Sequence, residues 1–246
     1  MSRTNPGVSA DVKVGASPLR AVAWDVDGTL VDSEPLHLEA LLEVCRAYEV
    51  DLSDFGPEPF VGVAAPQVWQ ALDHRFGSSL GHDAERRARV FLASIAEHFL
   101  ARAHVLRPMP GAAEALRWLR KRDVPMCAVS NSPRDIVVAN LRAIDATDCM
   151  QFIVSLDDVP APKPHPSPYL EAACRLGLSP AEVWAVEDSH SGVASARAAG
   201  LRVMRVGPRP WIQGTAPHAH HHVESLTAAP ALWQACLHPP EGVPVQ

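Results

Sequence analysis

The chain is poor in lysine, which occurs only at Lys13, Lys121 and Lys163. Lys+Arg 22 against Asp+Glu 28 leaves a net charge of −6. Such a balance lacks the basic footprint that neutralises a nucleic-acid backbone, so a nucleic-acid partner is not expected. Long apolar runs are missing as well. Pro, Gly or a charge interrupts every candidate before the ~20 consecutive apolar residues that a membrane helix needs, and no membrane span is expected. Residues 1–18 contain no continuous apolar segment of the secretory kind, which predicts a mobile tail on a cytoplasmic protein. The five cysteines, Cys45, Cys127, Cys149, Cys174 and Cys236, are scattered and include no CxxC pair. This spacing excludes a disulfide framework and a cysteine zinc site and reads as buried thiols. No internal repeat occurs.

What is present is the composition of a folded soluble protein, 47% hydrophobic and 20% charged over 246 residues. That length suits one large α/β domain, or a domain carrying a smaller insertion. Near-continuous apolar runs fall at 19–24, 124–129, 151–155, 183–186 and 201–206. Continuous rather than alternating runs mark parallel strands covered on both faces. Helical patterns at 111–122, 167–176 and 191–199 separate the later runs, the last stopped by Gly200. Strand and helix in repetition predict a doubly wound, Rossmann-like α/β core over 19–33 and 107–207. The passage from the first run to the second is far too long for one crossover helix. Its stretches at 34–49, 66–76 and 83–106 read as amphipathic helices, the first with an apolar stripe of Leu38, Leu41, Leu42 and Cys45, so 34–106 is expected to form an all-helical cap. Residues 208–246, Pro-rich and carrying HAHHH at 218–222, read as a solvated C-terminal extension.

The most informative string is WDVDGTLVDSEPLH, residues 24–37, at the end of the first strand. Asp25 and Asp27 stand two apart there, at the carboxyl edge of a parallel sheet, where open α/β sheets bind ligands. A bare DxD is equally an Asx-rich turn with two solvated acids. Its company tells against that: Ser130 and Asn131 end the second strand, Lys163 follows the third, and Glu187 and Asp188 end the fourth. Clustered carboxylates are tolerable around a hard dication such as Mg²⁺, which takes a few carboxylates and completes its shell with phosphate oxygens. In that setting Asp25 can attack a phosphoryl group to form an aspartyl phosphate. Asp27 can protonate the departing alcohol and then activate the water.

The order DVDGT, VSNS, the isolated Lys163 and VEDSHSG resembles the haloacid dehalogenase superfamily in its phosphatase and β-phosphoglucomutase-like branch. The likeness spans residues 19–206 and implies a Rossmann-like core with a helical cap after the first strand. It implies Asp25 as nucleophile, Asp27 as acid and base, Ser130 and Asn131 as phosphate binders, and Lys163 as charge stabiliser. Asp25, the backbone carbonyl of Asp27, Asp188 and the neighbouring Glu187 are the implied Mg²⁺ ligands. Asp27 separates the chain from the dehalogenases, and a cap without lysine separates it from Schiff-base phosphonate hydrolases. Glu34 and His37, at the cap hinge, are candidate substrate contacts; a hinge or helix-surface role is the alternative.

Between phosphatase and sugar phosphomutase, the cap's charge is informative. Residues 34–106 hold 6 Arg and 11 Asp+Glu, so the cap carries 6 − 11 = −5 of the chain's −6. The loop FVGVAAPQVW is apolar at 63–66, a poor anchor for a second phosphate unless Arg75 or another arginine turns inward. The expectation is a Mg²⁺-dependent phosphatase of a sugar phosphate or phosphoglycolate-like metabolite. The alternatives are a β-phosphoglucomutase-like enzyme and a non-catalytic phosphometabolite-binding protein.

Overall fold

The computed structural model describes residues 19–55, 60, 65–77, 79–208 and 218–237. Its centre is a parallel sheet of β1 (Ala21–Trp24), β2 (Met126–Val129), β3 (Ile153–Val154), β4 (Val183–Glu187), β5 (Arg202–Val206) and β6 (His221–Val223), ordered β3-β2-β1-β4-β5-β6. Strand β1 lies in the middle, Val22 opposite Met126 on one side and Trp184 on the other. The chain builds outward from β1 to β3 and then crosses back to start again at β4. This reversal leaves a crevice at the carboxyl ends of β1, β2 and β4, the general ligand position in open parallel sheets.

Successive side chains of a strand point to opposite faces, and both faces here are dry. Val22 and Trp24 enter one apolar layer with Leu116 of α4 (Ala112–Arg120) and Val137 of α5 (Arg134–Ala143). Ala21 and Ala23 enter the other with Tyr169 of α6 (Ser167–Leu176) and Val193 of α7 (His190–Ala198). The small residues of β1 let that second helical layer approach closely.

The long first connection forms α1 (Glu34–Ala47), α2 (Ala65–Phe76) and α3 (Ala84–Arg102), a helical unit inserted after β1. Asp83 caps α3, its carboxylate accepting from the backbone N–H of Arg86 at 2.7 Å. Trp69, Phe76 and Phe91 pack in a mutual cluster with ring centroids 5.0–5.7 Å apart. The apolar stripe of α1 differs in detail from the sequence expectation. Leu36, Ala40, Leu41, Val44 and Cys45 are its buried residues, whereas Leu42 is 38% exposed and Leu38 is half-buried.

The described part of the C-terminal region, 218–237, corrects the reading of 208–246 as an extension. HAHHH runs into β6, which pairs with β5, and α8 (Ala229–Leu237) follows. Trp233 is fully buried with its ring edge-on to Trp24 at 5.9 Å and 88°. Three of the four histidines of HAHHH are engaged one by one. The backbone N–H of Val203 donates to Nδ1 of His220 at 2.9 Å, His221 stacks on Trp184 at 5.0 Å, and His222 Nε2 lies 2.7 Å from the Gly207 carbonyl. No described helix is long and apolar enough to cross a membrane.

Candidate active site

Asp25 is the first residue past β1, and its backbone N–H donates to the Val186 carbonyl at 3.0 Å, which fixes it to the end of β4. Its Oδ1 accepts from the Lys163 ammonium at 2.6 Å. The same ammonium donates to Glu187 Oε1 at 2.6 Å and to the Val129 carbonyl at 2.8 Å. One lysine therefore ties the ends of β1, β2 and β4 together, and it is 5% exposed. Glu187 also accepts from the Tyr169 hydroxyl at 2.7 Å and from the Ser189 hydroxyl at 3.0 Å. Gly192 lies against this carboxylate so closely that a Cβ there would overlap it.

Asp27 is held by five donors. Ser33 (2.8 Å), His37 (3.2 Å) and Asn140 (2.7 Å) reach Oδ1, and Ser130 and Ser132, both at 3.0 Å, reach Oδ2. The turn after it places Gly28 at φ +79, where a Cβ would come 2.5 Å from Asp188 Oδ2, so this approach requires glycine. The hydroxyl of the next residue, Thr29, donates to Asp188 Oδ1 at 2.9 Å.

Burial and neighbouring charge set the proton affinities. Burial and the Glu187 charge push the Asp25 carboxyl well up, with Lys163 pulling the other way. Burial and Glu187 likewise lift Asp188 to about 7. Burial disfavours the Lys163 ammonium, but the Asp25 and Glu187 charges outweigh it and raise its pKa. Asp27 is the opposite case. Burial raises its pKa, but the hydrogen bonds from His37, Ser33 and Ser132 and the His37 charge prevail and hold it below the usual carboxylate range. His37 moves up because its bond to Asp27 and that carboxylate's charge exceed its own desolvation, and its ring stacks on Phe99 at 4.3 Å.

Asp25, Glu187 and Asp188 offer oxygen atoms that all lie within 4.8 Å of one another, the one such cluster among the described residues. Three carboxylates against one ammonium leave two negative charges, the complement of a divalent cation. Asp25 Oδ2 is buried with no hydrogen-bond partner. An all-oxygen, doubly negative set with an orphaned carboxylate oxygen fits a hard dication.

A cavity of about 410 Å³ opens over this edge. Asp25, Asp27, Glu34, His37, Ser130, Asn131, Lys163 and Asp188 all line it, while Glu187 lies beneath, fully buried. Asn131 also serves its neighbour: its side-chain amide donates to the Lys163 carbonyl at 3.1 Å and accepts from the Lys163 backbone N–H at 2.8 Å. The anticipated apolar cap loop is represented by Phe60, Ala65 and Pro66; residues 61–64 lie outside the described residues. The motif strings contain Thr29, Ser33 and Ser132, but sequence reasoning gave none of the three a part in holding Asp27 or Asp188. It missed Tyr169, in the first turn of α6, and Asn140, within α5, which carry no local signal.

A doubly wound α/β sheet whose carboxyl edge joins an acid pair, a buried lysine and a dication-suited carboxylate cluster defines the general class, an enzyme core of the open-sheet type. Residues 19–200 match the sequence profile of haloacid dehalogenase-like hydrolases, and the chain belongs to that family. It is 31% identical over 198 residues to hexitol phosphatase B of Escherichia coli, covering 78% of this chain and 85% of the relative. It is 32% identical over 194 residues to a phosphoglycolate phosphatase of Chromobacterium violaceum, covering 77% and 85%. The fold is similar to that of CbbY from Rhodobacter sphaeroides, solved in complex with phosphate, at TM-score 0.73 and 24% identity, covering 85% of this chain and 95% of that one.

Proposed function

We propose that the chain is a Mg²⁺-dependent phosphatase of small phosphomonoesters that works through a phosphoryl group carried on Asp25. The observation that carries this reading is the Lys163 ammonium, 2.6 Å from both Asp25 and Glu187 at the sheet's carboxyl edge. A carboxylate approaching a phosphate meets repulsion, and a fixed cation beside the attacking group lowers it as charge develops. Asp25, Glu187, Asp188 and the Asp27 backbone carbonyl are the groups that would hold Mg²⁺. Bound there, the ion supplies further neutralisation of the phosphoryl oxygens and helps align them.

Asp25 attacks phosphorus and the bond to the leaving alcohol breaks. Asp27 passes a proton to the alcohol oxygen, drawing on His37, which shares a hydrogen bond with it. Asp27 next takes a proton from the water that cleaves the aspartyl phosphate, and inorganic phosphate departs. Ser130 binds a phosphate oxygen by exchanging its hydroxyl bond from Asp27 to the ligand. Asn131 lines the same cavity and holds the lysine loop, while Glu34 and His37 are the cap's polar contacts. Likeness to relatives named as phosphatases supports hydrolysis. So does Arg75, whose guanidinium is bound to Asp54 at 2.5 Å and to the Asp51 carbonyl at 2.7 Å rather than offered to a second phosphate.

The test is phosphate release across a panel of phosphomonoesters, with Mg²⁺ and with chelator, by the natural chain and by Asp25→Asn. Release that requires both the ion and Asp25 is expected. No release from any ester, or release undiminished in Asp25→Asn, overturns the reading. A mutase would isomerise a sugar phosphate without net release, and a binding protein would retain the ester without turnover.

A further inference from the structure

The cavity has a charged floor, and no lysine or arginine is among the described residues of its roof. On α1, positions 34, 37, 38 and 41 recur at helical spacing and face it; on α3, Leu92, Ile95 and Ala96 do the same. Leu38, Leu41 and, from the core side, Ile136 complete an apolar enclosure above the acids. Residues 34–106 contain six arginines and no lysine, and none of the arginines lines the cavity. Four of them are paired elsewhere: Arg46 with Glu43, Arg75 with Asp54, Arg87 with Asp73 and Arg102 with Glu39. Residues 56–64, GPEPFVGVA, contain no Lys, Arg or His and can add no cation. On the core side, Arg134 forks onto Asp158 at 2.5 and 2.6 Å and is likewise not part of the wall.

Lys163 is therefore the one permanent side-chain cation among the described lining residues, and it already bridges Asp25 and Glu187. A second phosphate or a carboxylate on the leaving group would be taken from water into a space whose described roof charges are the Glu34 carboxylate and His37, the latter already bonded to Asp27. Burying an anion without a counter-charge is strongly disfavoured. Of the polar lining side chains, Ser130, Ser132 and His37 are bonded to Asp27, Asn131 to the Lys163 backbone and Ser189 to Glu187. Glu34, Gln67, His190 and Ser191 line the cavity as well, but the wall between α1 and α3 is built from Leu38, Leu41, Leu92, Ile95 and Ala96, which offer a hydroxyl-rich leaving group no partner.

We infer that the preferred substrate is a singly phosphorylated ester of an uncharged, predominantly apolar alcohol, whose carbon skeleton occupies the space between α1 and α3. This inference rests on the phosphatase reading and names the substrate class for it. The specificity-determining residues are Leu38, Leu41, Leu92 and Ile95.

The experiment measures kcat/KM with Mg²⁺ for hexyl phosphate, a hexose monophosphate, phosphoglycolate and a hexose bisphosphate, each also with Asp25→Asn as the control for release by this site. Hexyl phosphate and the hexose monophosphate are both alkyl esters, so leaving-group acidity does not dominate their ratio. Hexyl phosphate is expected to exceed each of the other three by ~10-fold or more, the scale on which an apolar pocket discriminates. Ile95→Arg and Leu92→Arg, checked for folding by circular dichroism, are each expected to shrink or invert the ratio of hexyl phosphate to phosphoglycolate. Leu92 is only half-buried and Ile95 is buried, so one variant remains informative if the other fails to fold. Asp25-dependent release that favours phosphoglycolate, the bisphosphate or the hexose ester overturns the inference and leaves the phosphatase reading intact. A folded roof variant with an unchanged ratio also overturns it. Absence of Asp25-dependent release from every ester removes both.

Discussion

With no divalent ion at its carboxylate cluster, the protein is expected to lose stability as pH rises, and the size of the fall can be worked from Asp188. Burial and the Glu187 charge lift that carboxyl from its ordinary 3.8 to about 7, against the Thr29 hydrogen bond and Lys163. A carboxyl whose folded pKa is raised binds its proton more tightly in the native state than in the unfolded one. Its contribution to stability is fully present below the unfolded value and is lost as pH rises through the folded value. Across that window, roughly three pH units, the metal-free protein loses up to about 1.4 kcal/mol per unit, an upper bound of about 4 kcal/mol that solvent screening of the half-buried Asp188 lowers. Asp25 shifts in the same direction, through burial and Glu187, and steepens the trend. His37, also raised, loses its contribution as pH climbs above 6.5, whereas the contribution of Asp27, held low, is full above 3.8 and is lost as pH falls below it, which opposes the trend at the acid end. The assay is urea unfolding followed by circular dichroism in chelator at about pH 5 and about pH 8, repeated with saturating Mg²⁺ and with Asp188→Asn. Chelated natural protein should be about 2–3 kcal/mol less stable at the higher pH, because about two units of the Asp188 window lie between the two conditions; Mg²⁺ should restore most of the difference, and Asp188→Asn should flatten the slope. Equal stability at both pH values in chelator, with a superimposable Asp188→Asn curve, would refute the reasoning.

Asn140→Ala removes the donor 2.7 Å from Asp27 Oδ1, so Asp27 should titrate higher. The acid limb of the kcat/KM profile is then expected to move to higher pH, with a stability loss of ~1–3 kcal/mol above pH 4, read by denaturant unfolding. Gly192→Ala drives a methyl into the Glu187 carboxylate. A loss of ~1–3 kcal/mol together with weaker Mg²⁺ dependence of activity is expected, and an unchanged Mg²⁺ titration would count against Glu187 as part of the metal shell. Trp233→Ala opens a hole against Trp24 and Trp118, and urea unfolding should register ~3–5 kcal/mol. A loss below ~1 kcal/mol would mean that the C-terminal helix is not part of the core.

The parallel strands were legible because each, buried on both faces, is a short unbroken apolar run, and VWAV at 183–186 is the plainest. The same rule hid β6. His221 and His222 carry no apolar signal, and this edge strand is held by its pairing to β5 and by stacking on Trp184, which a local reading does not register. Helix α5 was also missed. Its Ile136, Val137 and Val138 are β-branched and disfavour helix locally, and packing of Ile136, Val137 and Leu141 against the sheet overrides that tendency. In the site, Lys163 stood out because lysine is so scarce. Asn140 did not, because a polar residue within an apolar helix gains meaning only when the fold brings it to Asp27, 113 positions away. Tyr169 was hidden for the same reason, its hydroxyl finding Glu187 across the sheet edge.

The central claim is that Asp25 itself takes the phosphoryl group. Its most direct test is rapid acid quenching of the Mg²⁺-loaded protein during turnover of a phosphomonoester, followed by mass spectrometry of the proteolytic fragments. The account predicts a transient phosphoryl group on the fragment containing Asp25, gone once substrate is exhausted and never formed in Asp25→Asn. Phosphoryl transfer to another residue, or turnover that survives in Asp25→Asn, would contradict it.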